Sequence, residues 1–151
     1  MLICFSNRIK IFKETKNKTN NTMDYENKDI KPFSLKGLET RAFVKKVIDG
    51  DSLQCVFEFP PGNLHRFSCR LANINAPEIR GVKDKTARAK GVESKNALIS
   101  KIGRKFVSLK CLGEDKYRRL LVSINTEDEN QNINQWLIDQ NYATEYQPRK
   151  R

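Results

Sequence analysis

Between residues 42 and 124, apolar side chains fall at alternate positions in short runs separated by turn-forming residues. A period of two marks half-buried strands. Ala42 to Ile48 is rich in β-branched residues and runs into Asp49-Gly50-Asp51, a turn signal. Leu53, Cys55 and Phe57 alternate with Gln54 and Val56, and Pro60-Pro61-Gly62-Asn63 closes that run. From His65 to Asn73, Phe67, Cys69 and Leu71 share one face while Arg66, Ser68 and Arg70 share the other. These three runs predict an antiparallel meander. The period then changes. From Thr86 to Lys101, Ala89, Val92, Ile99 and Ile102, with Leu98 beside them, recur at helical spacing, and Gly103 follows as a stop. Strand spacing returns at Lys105 to Cys111, with Val107, Leu109 and Cys111 inward, and again at Leu120 to Ile124. After a polar turn through Glu127 to Gln131, Ile133, Trp136, Leu137 and Gln140 stand at i, i+3, i+4 and i+7 and predict a last helix.

The order βββ-α-ββ-α predicts a mainly β, α+β domain, a five-stranded OB-type barrel with two to three flanking helices. A simple α+β sandwich is the alternative, and the pattern does not separate the two. The domain is expected to span residues 36 to 147. Residues 1 to 35, dominated by Lys, Asn and Thr without an apolar period, read as a disordered basic arm. Met23 inside that arm is a second candidate start. Pro148-Arg149-Lys150-Arg151 reads as a loose basic tail.

Charge adds the partner class. Lys plus Arg number 29 against 18 Asp plus Glu, for a formal net charge of +11 over 151 residues, so a polyanion is the natural partner. Nucleic acid ranks first and an anionic membrane surface second. The arm lacks an amphipathic face with bulky apolar residues, so no stable membrane association is expected. No run approaches the ~20 apolar residues of a membrane span. Met1-Leu2-Ile3-Cys4-Phe5 is too short for the core of a signal peptide, and an intracellular protein is expected. Cys4, Cys55, Cys69 and Cys111 form no Cys-x-x-Cys pair, and with His65 the only histidine a structural zinc site is disfavoured. The last three cysteines sit in strand-like runs as buried free thiols. A monomer is the default for so small and basic a domain.

Three segments concentrate charge where loops begin: Asp49-Gly50-Asp51-Ser52, Arg70 through Gly81, and Glu114-Asp115-Lys116-Tyr117-Arg118-Arg119. Singly, each reads as a hairpin turn, a solvated arginine or a charged loop. Together they hold what phosphodiester cleavage requires: oxygen ligands for a hard cation, a base for water, and donors for charge building on phosphate. Asp51 and Glu78 suit an ion such as Ca²⁺. Arg70 and Arg119 suit forked bonds to phosphate.

At these residues the chain resembles the staphylococcal nuclease-like family, from about Arg41 to Tyr146. The resemblance lies in the order and spacing of Asp-Gly-Asp, Arg-Leu…Pro-Glu, Asp-Lys-Tyr-x-Arg, and Asn134 to Leu137 followed by Ala143. It implies an OB barrel that cuts DNA or RNA with Ca²⁺, breaking the bond to the 5′ oxygen and leaving 3′-phosphates. It implies Asp51, Asn75 and the backbone carbonyl of Ala76 as metal ligands, and Glu78 as general base. Arg70 and Arg119 become the transition-state arginines, and Lys116 and Tyr117 the grip on a terminal nucleotide phosphate. The chain departs from the family in three places. Asn75 replaces the usual Asp, Arg118 and Leu120 replace glycines beside the second arginine, and Tyr142 and Tyr146 are out of step with base-stacking tyrosines. The same barrel binding nucleic acid or a protein without cutting is the alternative reading.

Overall fold

The computed structural model describes residues 29–146. The basic arm up to residue 28, Met23, Cys4 and the basic tail lie outside the described residues. One compact unit begins at Ser34. Leu35, assigned from sequence to the arm, is buried in the core of that unit.

Five strands close a barrel in the order β1-β2-β3-β6-β5. β1 (Glu39–Asp49), β2 (Ser52–Glu58) and β3 (Leu64–Leu71) form the expected antiparallel meander. β5 (Phe106–Glu114) and β6 (Leu120–Thr126) form an antiparallel hairpin, β5 pairs with β1, and β6 joins β3 in parallel through Cys69↔Leu120, Arg70↔Leu121 and Leu71↔Val122. This is the OB-type topology, and it excludes the sandwich. Closure leaves no strand edge among the five, which removes the hazard of unpaired edges.

The alternation predicts the interior well. Leu53, Cys55, Phe57, Cys69, Leu71, Val107, Leu109, Cys111, Leu120, Val122 and Ile124 are all buried. In β1 the alternation slips. The pairing with β2 shifts between Val44 and Lys46, so Val44 and Val47, three residues apart, are both buried. The three thiols of this region are free and buried. The neighbouring Cys69 thiol and then burial push Cys55 up, and burial pushes Cys111 up, so neither supplies a thiolate near neutral pH.

Helix α1 (Lys85–Ile102) follows a two-residue strand, β4 (Ile74–Asn75), and starts where the Asp84 carboxylate accepts from the N–H groups of Thr86 and Ala87. Its buried face agrees with the predicted one at Leu98 and Ile102 and differs elsewhere. Gly91, Ser94, Leu98 and Ile102 are buried, whereas Ala89, Val92 and Ile99 are exposed. The face is chosen by close approach. A Cβ at Gly91 would lie 2.8 Å from the Pro77 carbonyl oxygen and 2.9 Å from that of Glu78, so glycine lets the helix lie directly on that backbone. A Cβ at Gly50 would lie 2.1 Å from Ser94 Oγ, so the turn after β1 also rests on α1. The helix thus backs two of the three charged segments. Gly103 caps it as predicted, but with φ −59°; the left-handed residue is Arg104, at φ 58°.

Helix α2 (Ile133–Asp139) buries Ile133, Asn134 and Leu137 against the barrel. Asn134 is saturated: Nδ2 donates to the Ala72 and Val122 carbonyls, each at 3.0 Å, and Oδ1 accepts from the Ile124 N–H at 3.2 Å. β7 (Thr144–Glu145) then pairs with β4, and the Tyr146 N–H donates to the Asn73 carbonyl at 2.8 Å.

Candidate active site

At one end of the barrel the three charged segments meet. The β1–β2 turn carries Asp51. The end of β3 and β4 carry Arg70 and Asn75, and the β5–β6 loop carries residues 115 to 119. Cross-strand register fixes two of them, because Ser52 is the partner of Arg70 and Arg70 that of Leu121.

Asp51 is buried, at 5% exposure, and each carboxylate oxygen has donors. Oδ2 meets Arg70 Nη1 at 3.0 Å and accepts from the Ala76 N–H at 3.1 Å. Oδ1 accepts from Ser52 Oγ at 2.9 Å. A buried carboxylate without such partners would be very costly, so this pairing is part of what holds the turn. Arg70 also uses Nη2, which donates to Asn75 Oδ1 at 3.2 Å and to the Ile74 carbonyl at 3.4 Å. Its side chain is 18% exposed, a guanidinium partly open at one face.

Arg119 approaches from the end of the β5–β6 loop. Its Nε donates to Asp115 Oδ2 at 2.7 Å, and its Nη1 to Ser52 Oγ at 3.3 Å. Asp115 also accepts from the N–H groups of Tyr117, at 2.8 Å, and Arg119, at 2.9 Å, through Oδ1. Burial pushes the Asp115 carboxyl up, but these hydrogen bonds together hold it below its ordinary value. Arg118, in the place of the family glycine, has φ 60° and so keeps the left-handed conformation a glycine would take. The substitution therefore leaves Arg119 at the site.

Arg70, Asn75, Asp115, Lys116, Tyr117, Arg119 and Tyr146 line one open cavity of about 550 Å³. The Arg119 guanidinium and the Lys116 ammonium lie 5.6 Å and 4.9 Å from the Tyr117 ring centre. Of the residues singled out from sequence, Arg70, Asn75, Lys116, Tyr117 and Arg119 line this cavity, and Asp51 and Ala76 join them through the Arg70–Asp51 ion pair and the Ala76 N–H to Asp51 hydrogen bond. Glu78 stands two residues beyond Ala76, exposed and without a side-chain hydrogen bond or ion pair among the described residues. Among the described residues, no three His, Cys, Asp or Glu side chains cluster to hold a metal ion.

Three contributors escaped the sequence reading. Ser52 follows Asp51 directly, yet its bridging role depends on a loop residue 67 positions away. Asp115 stands four residues before Arg119, a spacing that could have suggested the pair. Tyr146, out of step by sequence, reaches the cavity because the β4–β7 pairing carries it there.

A closed OB-type barrel bearing two arginines, a lysine and two tyrosines on one cavity defines a module suited to a phosphate-bearing ligand. Residues 68–151, more than half the chain, match the family described as Staphylococcal nuclease homologue, and the chain belongs to that family. The match begins after Asp51, so it is the fold that joins Asp51 to the matched residues. No curated protein matches the chain. The family and the cavity make the chain a nuclease-like or nucleic-acid-binding module. Among the described residues no helix is long and apolar enough to cross a membrane.

Proposed function

We propose that this protein is a Ca²⁺-dependent nuclease that hydrolyses phosphodiesters of DNA or RNA at the 5′ oxygen and leaves 3′-phosphates. The observation that carries this reading is two guanidinium groups, Arg70 and Arg119, on one cavity, with the Asp51 carboxylate and Ser52 hydroxyl hydrogen-bonded between them. During attack on a phosphodiester, negative charge grows on the equatorial oxygens. Forked donors in a partly desolvated cavity stabilise that charge more than they stabilise the ground state. Glu78 is exposed and unpaired among the described residues, so it is available to take a proton from water. Lys116 and Tyr117 hold a terminal phosphate, and the Tyr117 and Tyr146 rings offer flat faces to bases.

Asp51, Asn75 and the Ala76 carbonyl would hold the ion. All three offer oxygen, which suits Ca²⁺, and Ca²⁺ accepts neutral amide and carbonyl ligands. The Asp51 and Asn75 oxygens both meet the Arg70 guanidinium, at 3.0 and 3.2 Å, so an ion held by them would share them with Arg70. When bound, the ion supplies Lewis acidity toward the phosphate and makes water a better nucleophile. Asn75 contributes no negative charge, so Asn75→Asp is expected to tighten calcium binding; equal affinities in a calcium titration would count against this ligand assignment.

Plasmid DNA, single-stranded DNA and single-stranded RNA incubated with Ca²⁺ or with chelator test the reading. Degradation with Ca²⁺ alone, products ending in 3′-phosphate, and loss of activity by orders of magnitude in Glu78→Gln are the expected results. The second reading, a module that grips nucleic acid without cutting, rests on Asp51, whose two oxygens are already engaged by Arg70, Ala76 and Ser52. DNA and single-stranded RNA both retarded but intact under both conditions support it and end the nuclease reading.

A further inference from the structure

Ser52 is a small residue with a connecting position. A hydroxyl carries one proton and two lone pairs, so it can donate once and still accept. Its Oγ donates to Asp51 Oδ1 at 2.9 Å and accepts from Arg119 Nη1 at 3.3 Å. It thereby completes an unbroken chain from Asn75 through Arg70, Asp51 and Ser52 to Arg119 and Asp115. Among the described residues no other side-chain hydrogen bond joins the half built on the β3 end to the half built on the β5–β6 loop. Ser52 itself is 8% exposed and is held in register opposite Arg70.

We infer that Ser52 is a positioning residue that sets the spacing between the two guanidinium groups, and that it acts through Arg119. The inference rests on the nuclease reading for its catalytic consequence and on geometry alone for its positional one. Asp115 fixes the Nε side of the Arg119 guanidinium, and Ser52 fixes Nη1. With both in place the plane of the fork is set. With Asp115 alone it can swing about Nε. A swinging donor must be ordered when charge develops on phosphate, which reduces the turnover rate more than substrate binding.

The experiment compares Ser52→Ala, Ser52→Thr and Arg119→Ala, singly and with Ser52→Ala combined with Arg119→Ala, using a single-stranded oligonucleotide with Ca²⁺. Ser52→Ala should lower kcat about tenfold or more, the scale of a lost hydrogen bond to a charged group, with KM little changed. Ser52→Thr keeps the hydroxyl and should recover most of that loss. Ser52→Ala should cost nothing further once Arg119 is alanine. In parallel, the Arg119 Nε–Hε NMR signal of the whole protein should shift or broaden in Ser52→Ala and return in Ser52→Thr. An active wild type with a fully active Ser52→Ala, or additive losses in the double variant, overturns the inference and leaves the nuclease reading standing. A wild type that cuts nothing overturns the nuclease reading, and the NMR signal then decides the positional claim: an Arg119 signal unchanged by Ser52→Ala ends it.

Discussion

The two arginines of the site are held in place by different means. Arg70 lies in a strand paired on both sides, with Ser52 in β2 and Leu121 in β6, and its side chain meets a buried carboxylate. Its position is inherited from the barrel. Arg119 lies at the end of a loop, and the group that orders it, Asp115, belongs to the same loop and grips both its main chain and its side chain. Its position is a local achievement, joined to the barrel's arrangement through Ser52. A guanidinium built into a sheet cannot be disturbed without disturbing the fold, whereas one built on a loop can be loosened alone.

The strongest way to break this contrast is to remove each arginine in turn. Arg70→Ala should lower cleavage by about a thousandfold, the upper range for losing one preorganised donor, and should also lower the melting temperature because Asp51 stays buried without its partner. Arg119→Ala should cost comparable activity with a smaller fall in melting temperature; equal falls would erase the distinction. Next in size, Asp115→Ala should reduce cleavage by roughly ten- to a hundredfold, the scale of losing hydrogen bonds to a charged group. Activity assayed beside far-UV circular dichroism checks whether the fold stays intact. Smaller still, Arg118→Gly should stabilise the protein by ~1 kcal/mol in urea unfolding, because a side chain at φ 60° is strained where glycine is not. A loss of stability there would mean that the Arg118 side chain holds the loop in some other way.

The mildest probe is acid. The folded Asp115 carboxyl titrates below its unfolded value of 3.8, so the stability it contributes is present above that value and is lost as pH falls through the depressed one. Its carboxyl NMR signal should titrate below 3.8, and the Arg119 signal should move with it while the strand amides of β3 hold steady. A carboxyl midpoint at or above 3.8 would remove Asp115 as the anchor of the loop.

Much of this molecule was legible before folding. Leu53, Cys55 and Phe57, or Val107, Leu109 and Cys111, alternate because a strand packed on one face has no other economical arrangement, and all six are buried. Helix α1 was legible in extent but not in facing. Apolar periodicity favoured Ala89, Val92 and Ile99, whereas contact distance favoured Gly91 and Ser94, and small residues carry no hydrophobic signal. β4 and β7 are two residues each, too short for any period, yet their pairing is what delivers Tyr146 to the cavity. Asp51, Arg70, Lys116 and Arg119 were readable because they stand in the order and spacing of a family's motifs, whereas Asp115, inside one of those motifs, was given no role of its own. Ser52 was not readable, since a serine beside an aspartate is common and its second partner comes from a loop far along the chain.

The parallel seam between β3 and β6 has a consequence for the order of events during synthesis. It becomes available late, because Leu120 to Val122 must emerge before Cys69 to Leu71 find their neighbours. A nascent chain that has reached residue 110 carries Asp51 and Arg70 but lacks both the second arginine and the wall against which the first is set. The pairing of the two guanidinium groups across one cavity can therefore be assembled only after translation has passed that point.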